Sequence, residues 1–148
     1  MQKISVVIPL YNKALHISRA IQSVFNQSYS NFEILVINDA STDGGENIVK
    51  GFNDPRIRLF HRSTPGPGGH AARNLGIKEA TSDLIAFLDA DDEYKPLFLE
   101  TISRLREIFP QAGAYGTAYE MIEPQGQMVK PIFQGIPAFP WEGLIPNY

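Results

Sequence analysis

Apolar and polar positions along this chain alternate between two rhythms. Ile4-Ser-Val-Val-Ile8 is a β-branched run ended by Pro9 and predicts a first strand. Ile17, Ala20, Ile21, Val24 and Phe25 then recur at helical spacing behind Asn12, the candidate N-cap. Residues 26–31 are a polar break, and residues 32–37 a second strand. Asp43 and Glu46 have capping-box spacing and open a short helix through Ile48, Val49 and Phe52. Asp54-Pro55 turns the chain into a third strand over residues 56–61, more polar and so nearer an edge.

A Gly- and Pro-rich loop, residues 63–69, leads to a helix with Ala72, Leu75, Gly76, Ile77 and Ala80 inward. Next comes Leu84-Ile-Ala-Phe-Leu88, five apolar residues that read as a strand buried on both faces. Pro96 suits the first position of a fourth helix, with Leu97, Phe98, Ile102, Leu105 and Phe109 on one face and Pro110 as its stop. Residues 114–122 predict a strand, Pro124-Gln-Gly126 a turn, and residues 127–133 a returning strand. From Gly135 the chain is Pro- and aromatic-rich without a period. Phe139-Pro-Trp141 has two readings, packing on the core or a contact between chains, so a homo-oligomer stays open.

The βαβαβαβα alternation predicts an α/β fold: a mostly parallel twisted sheet with right-handed crossovers and helices on both faces. Ligands of such sheets bind outside the carboxyl ends of the strands. The informative polar residues fall there: Tyr11 and Asn12 after strand one, Asp39 after strand two, and Asp89, Asp91 and Asp92 after strand four. Two carboxylates about 5 Å apart repel by roughly 3 kcal/mol at an effective dielectric near 20. Three in four residues therefore call for a cation, and the nearest basic residue in sequence is Lys95. Hard oxygen donors suit a divalent ion such as Mg²⁺ or Mn²⁺.

The bulk properties exclude more than they assign. With 148 residues, 43% apolar and 20% charged, the chain is sized for one domain with a real core. A net charge of −3 gives no reason to expect nucleic acid. The absence of cysteine removes disulfides and thiolate metal sites. No apolar run approaches a membrane span and the N-terminus is not a signal peptide. A cytoplasmic location is the default, with membrane association of a longer parent protein left open.

The plain alternative for the acidic turn is a solvated loop; the sharper competing readings fail on spacing. An EF-hand loop starting at Asp89 puts Glu100 at its twelfth position but Tyr94 where glycine must turn, with Pro96 inside. A phosphoryl-aspartate hydrolase would carry its acids after the first strand. The Gly66-Pro-Gly-Gly69 loop matches neither phosphate-binding pattern and reads as a flexible connection. Arg73, in the first turn of the third helix, reads as a surface ion pair or a ligand contact. His16, His61 and His70 lack metal-ligand spacing and read as surface or packing residues.

Four ordered segments carry a resemblance: Ser5-Val-Val-Ile-Pro-Leu-Tyr-Asn12, Ile34-Leu-Val-Ile-Asn-Asp-Ala-Ser-Thr-Asp43, Ala72-Arg-Asn-Leu-Gly-Ile77 and Phe87-Leu-Asp-Ala-Asp-Asp92. Together they resemble the family 2 inverting glycosyltransferases of GT-A fold, over roughly residues 3–110. The resemblance implies a Rossmann-like donor half that binds a nucleotide-diphosphate-sugar, a UDP-sugar first among them, with Mg²⁺ or Mn²⁺. It implies that Pro9, Leu10, Tyr11 and Asn12 hold base and ribose, that Asp39 hydrogen-bonds the base, and that Arg73 lies near base and diphosphate. Asp89-Ala90-Asp91 corresponds to the D-x-D motif, with Asp89 and Ala90 at the nucleotide-sugar and Asp91 on the metal. Asp92 is expected to orient the turn or reach a metal-bound water. The acceptor would be a saccharide or a lipid-linked group, as in cell-surface polysaccharide synthesis.

Two departures from the family pattern matter. Asn38-Asp39 stands where Asp-Asp is common, which leaves the matched second acid in place. No carboxylate matches the general base that inversion requires; Glu120, Glu123 and Glu142 are the later acids, and none lies in a family motif. The expectation is one nucleotide-sugar-binding domain over residues 1–148. Residues 1–110 would form the donor-binding core, and residues 111–148 the start of an incomplete acceptor side whose general base lies beyond Tyr148. The readings outside the transferase class are a non-catalytic nucleotide-diphosphate-binding module and a nucleotidyltransferase.

Overall fold

Parallel pairing builds one four-stranded sheet in the order β3-β2-β1-β4 in a computed structural model, which describes residues 2–66 and 69–131. Its strands are β1 (Ile4–Leu10), β2 (Phe32–Asp39), β3 (Ile57–Arg62) and β4 (Leu84–Phe87). They alternate with α1 (Ala14–Phe25), α2 (Gly45–Gly51), α3 (His70–Glu79) and α4 (Phe98–Ile108). The chain divides into two compact units, Met1–Thr101 and Ile102–Tyr148.

β1 and β2 are the inner strands, and their β-branched runs are buried almost throughout. The crossovers run one way from β1 to β3 and then reverse to reach β4. Right-handed connections therefore put α1 and α2 on one face and α3 on the other. The packing agrees: α1 meets α2, while α3 lies on β1 and β2. Val7, Leu35, Ile37 and Ala72 form the core beneath α3, with Phe60, Leu75 and Ile85 against it. Close approach there depends on Gly76, because a Cβ on it would stand 2.3 Å from Val7 Cγ1.

Strand alternation carries polar residues under α3 as well. Glu33 is 3% exposed and accepts hydrogen bonds from Ser5 Oγ at 2.7 Å, Thr81 N at 2.9 Å and Thr81 Oγ1 at 2.7 Å. At the other end of the same face stand Pro9, Asp39 and Arg62, two, six and four residues along from Val7, Glu33 and Arg58. The sheet thus points one row of side chains toward its carboxyl edge.

Several elements differ from the sequence pattern. β4 is an edge strand of the described sheet; Leu84 and Ala86 are buried on one face and Ile85 packs under α3 on the other, while Phe87 is 45% exposed. An apolar run does not reveal how many neighbours a strand will have. Ile77 lies on the outer side of α3, and Leu97 precedes α4, where Leu99 is the fully buried residue. Asn12 does not cap α1. The cap comes from Asp43, whose Oδ2 accepts from Ala14 N at 2.7 Å, while its Oδ1 accepts from Gly45 N at 3.1 Å. One carboxylate thus serves two helix starts.

In the second unit, the strand expected over residues 114–122 is reduced to β5 (Met121–Ile122), paired antiparallel with β6 (Met128–Val129). Gly113 and Gly116 interrupt the alternation that a longer strand needs. The expected turn at Pro124-Gln-Gly126 is present, closed by Gly126 N to Glu123 O at 2.7 Å. Phe133, the Phe139-Pro-Trp141 segment and Glu142 lie outside the described residues.

Candidate functional site

β1 is flanked by β2 on one side and β4 on the other, so the sheet's switch point lies between β1 and β4. A cleft of about 300 Å³ opens at their carboxyl ends. Pro9 and Tyr11 from β1 and its following loop line it, with Lys13, Asp39, Gly66, Gly69, Arg73, Asp89, Ala90 and Asp91. Seven of the nine residues assigned from sequence to the nucleotide-sugar and the metal therefore share one cavity. The other two do not: Leu10 is fully buried in the core, and Asn12 Oδ1 faces the neighbouring loop, accepting from Thr42 N at 2.9 Å.

The loops after β1 and β2 are tied together. Ser41 Oγ donates to Leu10 O at 3.1 Å and accepts from Asn12 N at 3.2 Å. Asn12 and Ala40 both adopt left-handed backbone, at φ 50° and 59°. Asn tolerates that region, but Ala does so at a cost of roughly 1–2 kcal/mol. The chain holds this strain directly beside Asp39, which these bonds help fix in place.

Asp39 is 2% exposed, and both its oxygens are engaged. Arg62 pairs with Oδ1, and Gly66 N donates to Oδ2 at 3.1 Å. Gly66 is needed for this approach: a Cβ on it would stand 2.9 Å from both Arg62 Nη1 and Ala71 Cβ. Arg62 was not singled out from sequence. The available signal was register, since Arg62 ends β3 directly across from Asp39 at the end of β2.

The acidic turn is exposed toward the cleft, Asp89 by 49% and Asp91 by 43%. Two of its cations come from far along the chain. Arg73 pairs with Asp89, and Lys13 Nζ lies 2.6 Å from Asp91 Oδ2. The hydrogen bond to Asp91 raises the Lys13 ammonium above its ordinary range. The same bond holds the Asp91 carboxyl below the usual carboxylate range. Asp92 moves the other way, pushed up by desolvation and then by Asp91 and Asp89.

The backbone of the turn has anchors of its own. Leu88 N donates to Val7 O at 3.1 Å, and Asp92 N to Asp89 O at 3.0 Å. Arg19 from α1 donates to Asp91 O at 3.1 Å and pairs with Glu93 at 2.8 Å. Beyond the turn, Tyr94 N donates to Ser23 Oγ at 3.0 Å, and the Tyr94 hydroxyl to Phe87 O at 2.7 Å. Gln27 completes the support by accepting from Leu99 N at 2.9 Å, which caps α4.

The donor set can be tested against a cation. Among the described residues no group of three or more His, Cys, Asp or Glu side chains is placed to enclose an ion. Mg²⁺ and Mn²⁺ chemistry does not require one, because such ions commonly take one or two carboxylates and complete their shell with water and substrate phosphates. Asp91 and Asp89, hard oxygen donors open to a cleft, fit that partial role. A second concavity, about 340 Å³ beside α2 and β3, offers less. Its lining includes Val49, Asn53, Pro55, Ile57 and Leu59, and its one carboxylate, Asp54, is paired with Arg56.

Fold and cleft together define an α/β domain with a polar ligand site at the switch point of a parallel sheet. The chain belongs to glycosyl transferase family 2, whose model matches residues 5–140. It is 39% identical over 137 residues to an uncharacterised glycosyltransferase of Rickettsia bellii, covering 90% of this chain and 19% of that protein. It is 42% identical over 102 residues to the uncharacterised glycosyltransferase YibD of Escherichia coli, covering 68% of this chain and 29% of YibD. The chain thus spans less than a third of either relative.

The architecture is that of GT-A glycosyltransferases. TarS of S. aureus, residues 1–349, solved with UDP and with UDP-GlcNAc, superposes with a TM-score of 0.68 at 27% identity. That match covers 73% of this chain and 33% of TarS in the UDP complex. The mannosyltransferase PcManGT of Pyrobaculum calidifontis, solved with GDP-Man and Mn²⁺, superposes with a TM-score of 0.56 at 27% identity. It covers 62% of this chain and 28% of PcManGT. Among the described residues no helix is long and apolar enough to cross a membrane.

Proposed function

We propose that this chain is the donor-binding part of an inverting glycosyltransferase that takes a UDP-sugar with a divalent ion and serves a saccharide or lipid-linked acceptor. The observation that carries the proposal is the convergence of Asp39, Arg73, Asp89 and Asp91 on one cleft beside Pro9 and Tyr11. In this reading Tyr11 and Pro9 flank the base, and Asp39 accepts a hydrogen bond from its N–H edge. Arg73 and Lys13 face the diphosphate, Asp89 faces the ribose, and Asp91 holds the ion. That ion would offset the charge that builds on the leaving diphosphate. The TarS complexes with UDP and UDP-GlcNAc support uridine as the base, and PcManGT supports Mn²⁺.

Transfer itself belongs to the whole protein. Inversion by single displacement needs a carboxylate to take the acceptor proton. The acids of this cleft already have roles in this reading: Asp39 at the base, Asp89 at the ribose and Asp91 on the ion. We therefore place the general base in the remainder of the protein. The test is UDP binding by two variants: Asp91→Ala should abolish the Mn²⁺-dependent part, and Asp39→Ala should weaken binding and relax base choice. Unchanged UDP affinity in both would remove the site assignment.

A further inference from the structure

The geometry points to Lys13 as an internal counter-ion that holds the cation position at Asp91 and exchanges Asp91 for a diphosphate when one binds. The exchange half rests on the donor-site reading above; the counter-ion half concerns this chain alone. Lys13 Nζ sits 2.6 Å from Asp91 Oδ2, inside the cleft and at the start of α1. A divalent ion accepted by Asp91 would meet that ammonium at short range, and the like charges would repel strongly. Metal binding at Asp91 therefore has to displace Lys13.

The displacement leaves the turn intact. Arg19 on Asp91 O, Leu88 N on Val7 O and the Tyr94 contacts hold its backbone without help from Lys13. Lys13 is able to move: its side chain is 41% exposed, and an ammonium on a four-carbon stem reorients more easily than a planar guanidinium. Asp89 and Asp92 also attract it, so in a cleft without ligand the ammonium stays close to the acidic turn. A diphosphate supplies the missing anion, and lysine is a common point-charge partner of phosphate. Ion and diphosphate would then bind cooperatively, each removing an obstacle to the other, by a reciprocal linkage.

Lys13→Met separates this role from an ordinary surface ion pair, because it predicts effects of opposite sign. Mn²⁺ binding to the nucleotide-free chain, read by the electron paramagnetic resonance of free Mn²⁺, should tighten about fivefold, the factor an exposed ion pair contributes at most. UDP binding at saturating Mn²⁺ should weaken about tenfold through loss of a charge-assisted contact. Equal or weaker Mn²⁺ binding by the variant overturns the proposal. Tighter Mn²⁺ binding with unchanged UDP affinity overturns the exchange. Wild-type chain that binds no UDP overturns the donor-site reading instead, and the Mn²⁺ arm, which uses no nucleotide, still decides the role of Lys13.

Discussion

Arg62, the last residue of β3, faces Asp39, the last residue of β2, and its guanidinium pairs with the Asp39 carboxylate. The acid is 2% exposed and the guanidinium side chain 21%. A carboxylate so placed is tolerable only while both its charge and its lone pairs are satisfied. The residue with the clearest claim to read a nucleobase is thus fixed from behind by a cation and a backbone N–H, with no freedom to rotate.

Arg62→Met should destabilise the chain by about 3 kcal/mol, because it strands a buried charge. Adding Asp39→Asn should recover part of that loss. Urea unfolding of both single variants and the double variant measures the coupling. Losses that add to within about 0.5 kcal/mol would show that the two residues act independently.

Gly76→Ala tests the packing that carries Arg73. The new methyl would overlap Val7 Cγ1, and the helix must lift or the strand shift, at a cost of about 1–3 kcal/mol. Denaturant melts should show the loss. UDP affinity should fall with it, since α3 sets the position of Arg73 over the cleft.

Glu33 gives the fold an acid limit. Burial alone would raise its carboxyl, but hydrogen bonds from Thr81, Ser5 and Arg58 prevail and lower it to about 2. The folded value lies below the ordinary 4.5, so the contribution is complete above pH 4.5 and is lost as pH falls toward 2. Glu33→Gln should cost about 2 kcal/mol at pH 7, the worth of a buried charge-assisted bond. The gap between variant and wild type should close between pH 4.5 and 2 in urea melts. A gap that persists unchanged at pH 2 would contradict this assignment.

Much of this was legible in sequence because each strand end carries its own polar signature. Pro9 and Tyr11, Asp39, and the Asp89–Asp91 turn each follow an apolar run, and parallel topology alone brings such ends to one edge. Burial was less legible. Leu84 to Leu88 is as apolar as Ile34 to Ile37, yet strand order puts one at an edge and the other inside. The cations were missed for a related reason. Lys95 is close in sequence to the acidic turn, while Lys13 and Arg73 reach it only through folding. Arg62 lay at the end of the most polar strand, one residue beyond the span read for it from sequence. Asp43 showed a local capping pattern, but its carboxylate also serves α1, two elements away.

A nucleotide-diphosphate site at the β1–β4 switch point would work together with a divalent ion. Calorimetric titration of the chain with UDP, GDP, dTDP and CDP, each with and without Mn²⁺, tests it most directly. UDP should bind in preference to the other three, with an affinity that rises when Mn²⁺ is present. Equal affinity for all four, or UDP binding indifferent to Mn²⁺, would contradict it.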